Sequence, residues 1–194
     1  MKTIILAGGK SSRMGENKAL MIIAGKRLID RMIEEFTPVS EKVFVIANDE
    51  LSRINDGAII LEDFEPYKGE GPLAGILTGL TAAKEGACFV VACDMPFASS
   101  KLVKQLEQKL TDKKLDAVVP VADGQIHPLF AVYNARIQDQ VIATLKEGKR
   151  AVKSLLDRID VEYIEMGKSL EFWNMNTKED YVEAKKIIEG NETH

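Results

Sequence analysis

Four short, unbroken apolar runs, separated by stretches of helical periodicity, limit what this chain can fold into more than any other feature. Ile4-Ile5-Leu6, Val43-Phe44-Val45-Ile46, Ile59-Ile60-Leu61 and Phe89-Val90-Val91-Ala92-Cys93 are continuous rather than alternating, as expected of strands covered on both faces. Between them, Leu28, Ile29, Met32, Ile33 and Phe36 recur at helical spacing, and Thr37-Pro38 closes that segment. Pro72 suits a first helical position, where its missing N–H costs nothing, and a helix is expected over 73–84. Leu102, Val103, Leu106 and Leu110 mark a third helix, with Ser99 or Ser100 as the N-cap. Strand-helix-strand alternation of this kind builds a parallel sheet.

Further along, strands are expected at 117–119, 129–133 and 161–164, and helices at 137–146 and 152–159. Thr177-Lys178-Glu179-Asp180 supplies an N-terminal cap for a last helix running through Ile188, and Asn174-Met175-Asn176-Thr177 reads as the end of a strand followed by that cap. The fold class is therefore α/β, a three-layer Rossmann-like, mostly parallel sheet. No linker, repeat or low-complexity tract divides the chain, so residues 1–194 are read as a single domain.

Composition narrows the function classes. Twenty-six basic residues against 30 acidic ones give a formal charge of -4, which argues against general affinity for nucleic acid or an anionic membrane. No apolar run is long enough to span a bilayer or to act as a secretory signal. Cys88 and Cys93 have neither redox-pair nor zinc-site spacing, and on one strand they point to opposite faces. Two buried thiols without a disulfide fit a reducing cytoplasm.

In an open parallel sheet, ligands bind beyond the carboxyl ends of the strands. After the first run comes Gly8-Gly9-Lys10-Ser11-Ser12-Arg13-Met14-Gly15-Glu16-Asn17-Lys18. Its glycines allow close approach of backbone N–H groups to phosphate oxygens, and Lys10, Arg13 and Lys18 add positive charge. The spacing is that of neither a Walker A loop nor Gly-x-Gly-x-x-Gly. The other runs end at Asn48, at Glu62-Asp63 and at Asp94, so polar ends gather on one rim. Asp94 is a natural hard-oxygen ligand for Mg²⁺ beside a triphosphate, although Asp before a Pro-containing turn also serves purely as a turn former. The same turn-forming alternative is stronger for Asn48 and Asp63. Gly75 and Gly79 suit close helix-sheet packing as well as they suit a ligand approach. His127 reads as a structural histidine.

The segments Leu6-Ala7-Gly8-Gly9, Ser12-Arg13-Met14-Gly15 and Lys18 resemble the signature loop of nucleotidyltransferases with the nucleotide-diphospho-sugar transferase fold. Gly71-Pro72-Leu73-Ala74-Gly75, Cys93-Asp94-Met95-Pro96, His127-Pro128-Leu129 and Asn174-Met175-Asn176-Thr177 extend the likeness in order through nearly the whole chain. Together they resemble the molybdenum cofactor guanylyltransferases. That resemblance implies transfer of GMP from GTP to the molybdenum-molybdopterin cofactor, with release of pyrophosphate. It implies that Leu6, Ala7, Gly8 and Gly9 line the nucleotide, that Lys18 meets phosphate, that Asn48 and Asp63 make further nucleotide contacts, and that Asp94 binds Mg²⁺. Arg13 is expected to stabilise charge by its chemistry.

Ser11 and Ser12 stand where the family often carries further arginines, which shifts weight onto Lys10 and Lys18. The pterin side is poorly defined: segments 123–128 and 148–153 are candidates, since Lys149, Arg150 and Lys153 could meet an anionic cofactor, but a solvated helix face is the simpler reading of those charges. Transient contact with other molybdenum cofactor biosynthesis proteins or with molybdoenzyme chaperones is a further expectation of the resemblance. The rival readings are a relative using CTP, a sugar-phosphate acceptor or a cobalamin precursor, and a noncatalytic nucleotide-binding module.

Overall fold

The strand β1 (Lys2–Leu6) lies inside the sheet, and its alternation decides the layering. In the computed structural model, which describes residues 1–8, 17–47, 51 and 57–192, Ile5 and Ala7 point into one apolar core while Ile4 and Leu6 point into another. The chain continues through a hairpin of β2 (Ile22–Ile23) and β3 (Lys26–Arg27), then α1 (Leu28–Phe36), β4 (Val43–Ile46), β5 (Ile59–Leu61), α2 (Pro72–Ala83) and β6 (Ala87–Ala92). It proceeds through α3 (Val103–Asp112), β7 (Ala117–Ala122), β8 (Gln125–Ile126), β9 (Phe130–Asn134), α4 (Gln138–Lys146), α5 (Val152–Leu156), β10 (Val161–Met166) and α6 (Lys178–Glu192). The main sheet runs β10-β7-β9-β6-β1-β4-β5, with β8 paired to β7.

One core receives Ile29, Met32, Ile33 and Phe36 from α1 and Val103, Leu106 and Leu110 from α3. The other receives Leu73, Ile76 and Leu80 from α2, Val141 and Leu145 from α4, and Val152 and Leu155 from α5. Helices therefore cover both faces, giving the expected three layers. Pairing is parallel from β6 through β1 and β4 to β5 and between β10 and β7. β9 is antiparallel to both β6 and β7, which makes the sheet mixed but mostly parallel.

Two glycines let α2 lie tightly on β1. A Cβ on Gly79 would stand 2.5 Å from Ile4 Cγ2, and one on Gly75 would stand 2.9 Å from Leu6 Cδ2. The packing reading of these glycines is therefore correct. Cys88 faces the second core and Cys93 the first, both as free thiols, and burial pushes the Cys88 thiol up to about 12.

Three local expectations need correction. Neither Ser99 nor Ser100 caps α3, which begins at Val103 after a turn, with Leu102 at the cap position and no side-chain cap. The Ser99 hydroxyl instead accepts from the Lys101 N–H at 3.3 Å, and the Ser100 N–H donates to Glu35 Oε1 at 2.7 Å. The helix expected over 152–159 stops at Leu156, where the Asp157 and Arg158 N–H groups close the turn. Asn174–Thr177 does not end a strand: it follows a short 3-10 turn, Leu170–Phe172, and leads into α6. Among the described residues no helix is long and apolar enough to cross a membrane.

Candidate active site

The carboxyl ends of β1, β5 and β6 open onto one cavity of about 460 Å³. It is lined by Leu6, Ala7 and Gly8 from the end of β1, by Asn17 and Lys18, by Asp63 after β5, and by Gly69, Gly71 and Pro72 at the start of α2. Ala92, Cys93 and Asp94 at the end of β6 and Leu129 complete it. Adjacent parallel strands place these residues side by side although they lie far apart in sequence.

The floor is stiff because its backbone is tied into the sheet. The Ala7 N–H donates to the Ile46 carbonyl at 2.8 Å, and the Leu6 carbonyl accepts from the Cys93 N–H at 3.0 Å. Gly71 has φ +87° just before Pro72, a conformation that glycine adopts without strain. The N-terminus of α2 therefore borders the cavity and presents the positive end of its peptide dipoles, which favours an anion there.

Lys18 and Asp94 meet inside this cavity. Lys18 Nζ lies 3.3 Å from Asp94 Oδ2 and donates at 3.2 Å to Asn176 Oδ1. The lysine side chain is 16% exposed and the aspartate 26%, so both are held near the wall yet accessible from within. Lys18 begins a short 3-10 turn, Lys18–Leu20, where the Asn17 side chain accepts from the Ala19 N–H at 3.1 Å. Asp94 sits in the turn leaving β6, and its carbonyl accepts from the Met175 N–H at 2.7 Å.

Asp63 lines the same cavity while its Oδ2 accepts from the Gly69 N–H at 3.0 Å, so it also closes the loop between β5 and α2. Both readings of Asp63, as turn former and as rim residue, hold together. Of the sequence-derived site residues, Leu6, Ala7, Gly8, Lys18, Asp63 and Asp94 are thus brought together. Gly9, Arg13 and Asn48, and with them Lys10, lie outside the described residues.

The sequence does not single out Asn176 as a site residue, yet it reaches the Lys18 ammonium across 158 positions of chain. The available signal is the Asn174-to-Thr177 motif, whose spacing also suits a simple helix cap. Arg150 departs from the solvated-face reading: its Nη2 lies 2.5 Å from Glu70 Oε2 and its Nη1 donates to the Leu145 carbonyl at 2.8 Å. It thereby ties the loop before α5 to the Glu70-Gly71 segment at the cavity mouth. His127 stacks on Phe172 with ring centroids 4.7 Å apart, and burial lowers its pKa, as suits a structural histidine.

Whether Mg²⁺ suits this site can be judged from its donors. Among the described residues no cluster of three or more His, Cys, Asp or Glu could hold a metal ion. Among the described residues the cavity is lined by two carboxylates, Asp94 and Asp63, and Asp63 Oδ2 is taken by the Gly69 N–H, which leaves Asp94 as the better placed hard oxygen. That set is too small for a zinc or calcium cage, but it fits Mg²⁺, which retains waters and takes substrate phosphate oxygens.

This layered sheet and its rim define an α/β nucleotidyltransferase. A family model described as the MobA-like NTP transferase domain matches residues 3–162. The chain belongs to that family. A relative from Bacillus cereus (strain G9842), named probable molybdenum cofactor guanylyltransferase, is 37% identical over 193 residues, covering 95% of this chain and 96% of that protein. Molybdopterin-guanine dinucleotide biosynthesis protein A from Archaeoglobus fulgidus superposes with a TM-score of 0.84 at 27% identity, covering 98% of this chain and all of that one (100%). The 2-C-methyl-D-erythritol 4-phosphate cytidylyltransferase of Thermus thermophilus has a TM-score of 0.72 at 17% identity, covering 97% of this chain and 100% of that one, a likeness of fold alone.

Proposed function

We propose that this chain transfers GMP from GTP to the molybdenum-molybdopterin cofactor, forming molybdopterin guanine dinucleotide and releasing pyrophosphate. The observation that carries the reading is the meeting of Lys18 Nζ and Asp94 Oδ2 at 3.3 Å in a cavity floored by Leu6 to Gly8. The names and near-complete coverage of its relatives support this substrate pair over others.

A terminal phosphate oxygen of molybdopterin attacks the α-phosphorus of GTP; the new O–P bond forms as the bond to the bridging β-phosphate oxygen breaks, and pyrophosphate leaves with its electron pair. The attacking oxygen is already ionised, so no general base is required. Positioning and charge stabilisation carry such a step. The stiff Leu6-Ala7-Gly8 floor holds the nucleotide, and Gly9, Asn48 and Asp63 make further contacts to it. Lys18 and Arg13 offset charge on the departing pyrophosphate, and the N-terminus of α2 adds its dipole. Asp94 would hold Mg²⁺, which supplies charge neutralisation and polarisation of phosphate oxygens when bound. The same reading places the protein in the cytoplasm, where it meets other proteins of cofactor assembly only transiently.

A cytidylyl-transferring relative is the second reading, since the cytidylyltransferase shares this fold. Pyrophosphate release separates the two: with Mg²⁺ and molybdenum-loaded molybdopterin, GTP is expected to support turnover while CTP and ATP do not. Turnover with CTP and none with GTP would reverse the assignment. Binding of GTP without any pyrophosphate release would favour a noncatalytic module.

A further inference from the structure

The lysine at the centre of the cavity is gripped from outside it. Lys18 donates to Asn176 Oδ1 at 3.2 Å, and Asn176 is itself held by its neighbours rather than by the sheet. Asp180 Oδ2 accepts from the Asn176 N–H and from the Thr177 N–H, each at 2.7 Å. Thr177 Oγ1 in turn accepts from the Asp180 N–H at 3.1 Å, which completes a reciprocal cap at the start of α6. On the other side, Met175 is fully buried and its N–H donates to the Asp94 carbonyl at 2.7 Å.

Asn176 therefore stands between two anchors, one on the backbone of Asp94 and one on the carboxylate of Asp180. We propose that Asp180 is a positioning residue for Lys18, acting through Asn176 to hold the ammonium shared between Asn176 Oδ1 and Asp94 Oδ2 at the cavity rather than paired with Asp94 alone. Asp180 touches neither the cavity wall nor the reacting atoms. It acts through the carboxylate, whose hydrogen bonds fix the Asn176 backbone and thereby the reach of its amide oxygen. Among the described residues Lys18 Nζ has two acceptors, Asp94 Oδ2 and Asn176 Oδ1, at nearly equal distances. Loss of the second leaves the first to capture it, pairing the lysine with the carboxylate assigned above to the metal.

Electrostatics agree with the geometry. The Asp180 carboxyl is held below its ordinary value first by the Asn176 N–H, then by Thr177, with the Lys18 charge contributing last.

The proposal rests on the assignment of Lys18 to the phosphates, so its test needs a readout that does not depend on turnover. Competitive acetic anhydride labelling of Lys18 in the free full-length protein, quantified by peptide mass spectrometry, reports the freedom and surroundings of the amine. It is paired with GMP transfer from GTP in Asp180→Ala, Asp180→Asn, Asn176→Ala and the double variant. Labelling of Lys18 is expected to change by the same factor in Asp180→Ala and Asn176→Ala and no further in the double variant. Turnover is expected to fall about tenfold in each alanine variant, and again no further in the double. Asp180→Asn keeps an oxygen acceptor and restores most of both signals. Thermal melts run alongside, and an effect that tracks stability alone counts against the proposal. Unchanged Lys18 labelling in Asp180→Ala, or multiplicative losses in the double variant, would overturn it. The expected labelling pattern across the variants, with no GMP transfer by the parent protein, would instead refute the functional reading while leaving the positioning role in place.

Discussion

Adding one methyl group to α2 at Gly79 asks how tightly the helix is seated on β1. In Gly79→Ala the new Cβ would lie 2.5 Å from Ile4 Cγ2, 2.6 Å from Cδ1 and 2.7 Å from Cγ1. All three atoms belong to one β-branched side chain that is fully buried in the middle of the sheet, so no end rotation relieves the overlap and helix and strand must separate. Overpacking of this kind costs about 3 kcal/mol at the upper end of its usual range. The gain in helix propensity from Gly to Ala returns about 1 kcal/mol. The net is a loss of about 2 kcal/mol, or a Tm lower by about 4–8 °C for a chain of this length. Gly75→Ala is the internal control, because its Cβ meets the far end of Leu6 at 2.9 Å and that flexible end can turn away. Its stability is expected to stay within about 1 kcal/mol of the parent, as the same two effects nearly cancel. Leu6 lines the cavity, so the Gly75 variant is expected to raise KM for GTP. Urea unfolding and thermal melts of both variants decide the matter. A Gly79→Ala protein as stable as the parent would refute the account of how α2 docks on the sheet.

Lys18→Met removes the cavity cation at nearly constant volume; turnover is expected to fall by about 10²–10³, the scale for losing one preorganised charge-stabilising donor. Its Tm is expected to move little, because Asp94 is exposed enough to hydrate, and a variant that retained full pyrophosphate release would remove Lys18 from the mechanism. Burial holds the His127 pKa below 6.5 in the fold, so the unfolded chain takes up the proton first as pH falls. Its contribution to stability is therefore present above the unfolded value and lost as pH drops through it. His127→Phe keeps a ring against Phe172 and is expected to flatten the decline in unfolding free energy between pH 7.5 and 5.5, both values bracketing the ordinary histidine pKa of about 6.5; an unchanged pH dependence would show that His127 does not titrate differently on unfolding.

Elements whose residues answer to one local rule could be read from the sequence. The continuous apolar runs became β1, β4 and β6, which helices cover on both faces, whereas the same signature at Ile59–Leu61 became the edge strand β5, with Ile59 45% exposed; Pro72 opens α2 as its missing N–H requires. Residues decided by distant partners were harder to read. The antiparallel seat of β9 between β6 and β7 leaves the same apolar signature as a parallel strand, so strand direction was not written in Phe130–Asn134. Ser99 and Ser100 carry capping chemistry, but the Ser99 hydroxyl serves a neighbouring turn and the Ser100 backbone N–H is turned to Glu35.

The candidate site divides in the same way. Asp63 and Asp94 stood out because polar residues directly after strands must reach the carboxyl rim of the sheet, and Lys18 because it closes the glycine-rich, cationic stretch that follows β1. Asn176 comes from a segment with no strand before it. Its approach to Lys18 depends on where α6 starts, which Asp180 and Met175 set together. Arg150 looked like one more charge on a basic stretch, and only the packing of its loop against Gly71 shows why it pairs with Glu70.

The central claim is that Asp94, beside Lys18, holds the metal of a metal-triphosphate in this cavity. Calorimetric titration of GTP into the parent protein and into Asp94→Ala, with and without Mg²⁺, tests it most directly. Mg²⁺ is expected to tighten GTP binding to the parent and to leave the affinity of Asp94→Ala unchanged. Equal tightening by Mg²⁺ in both proteins would contradict the claim.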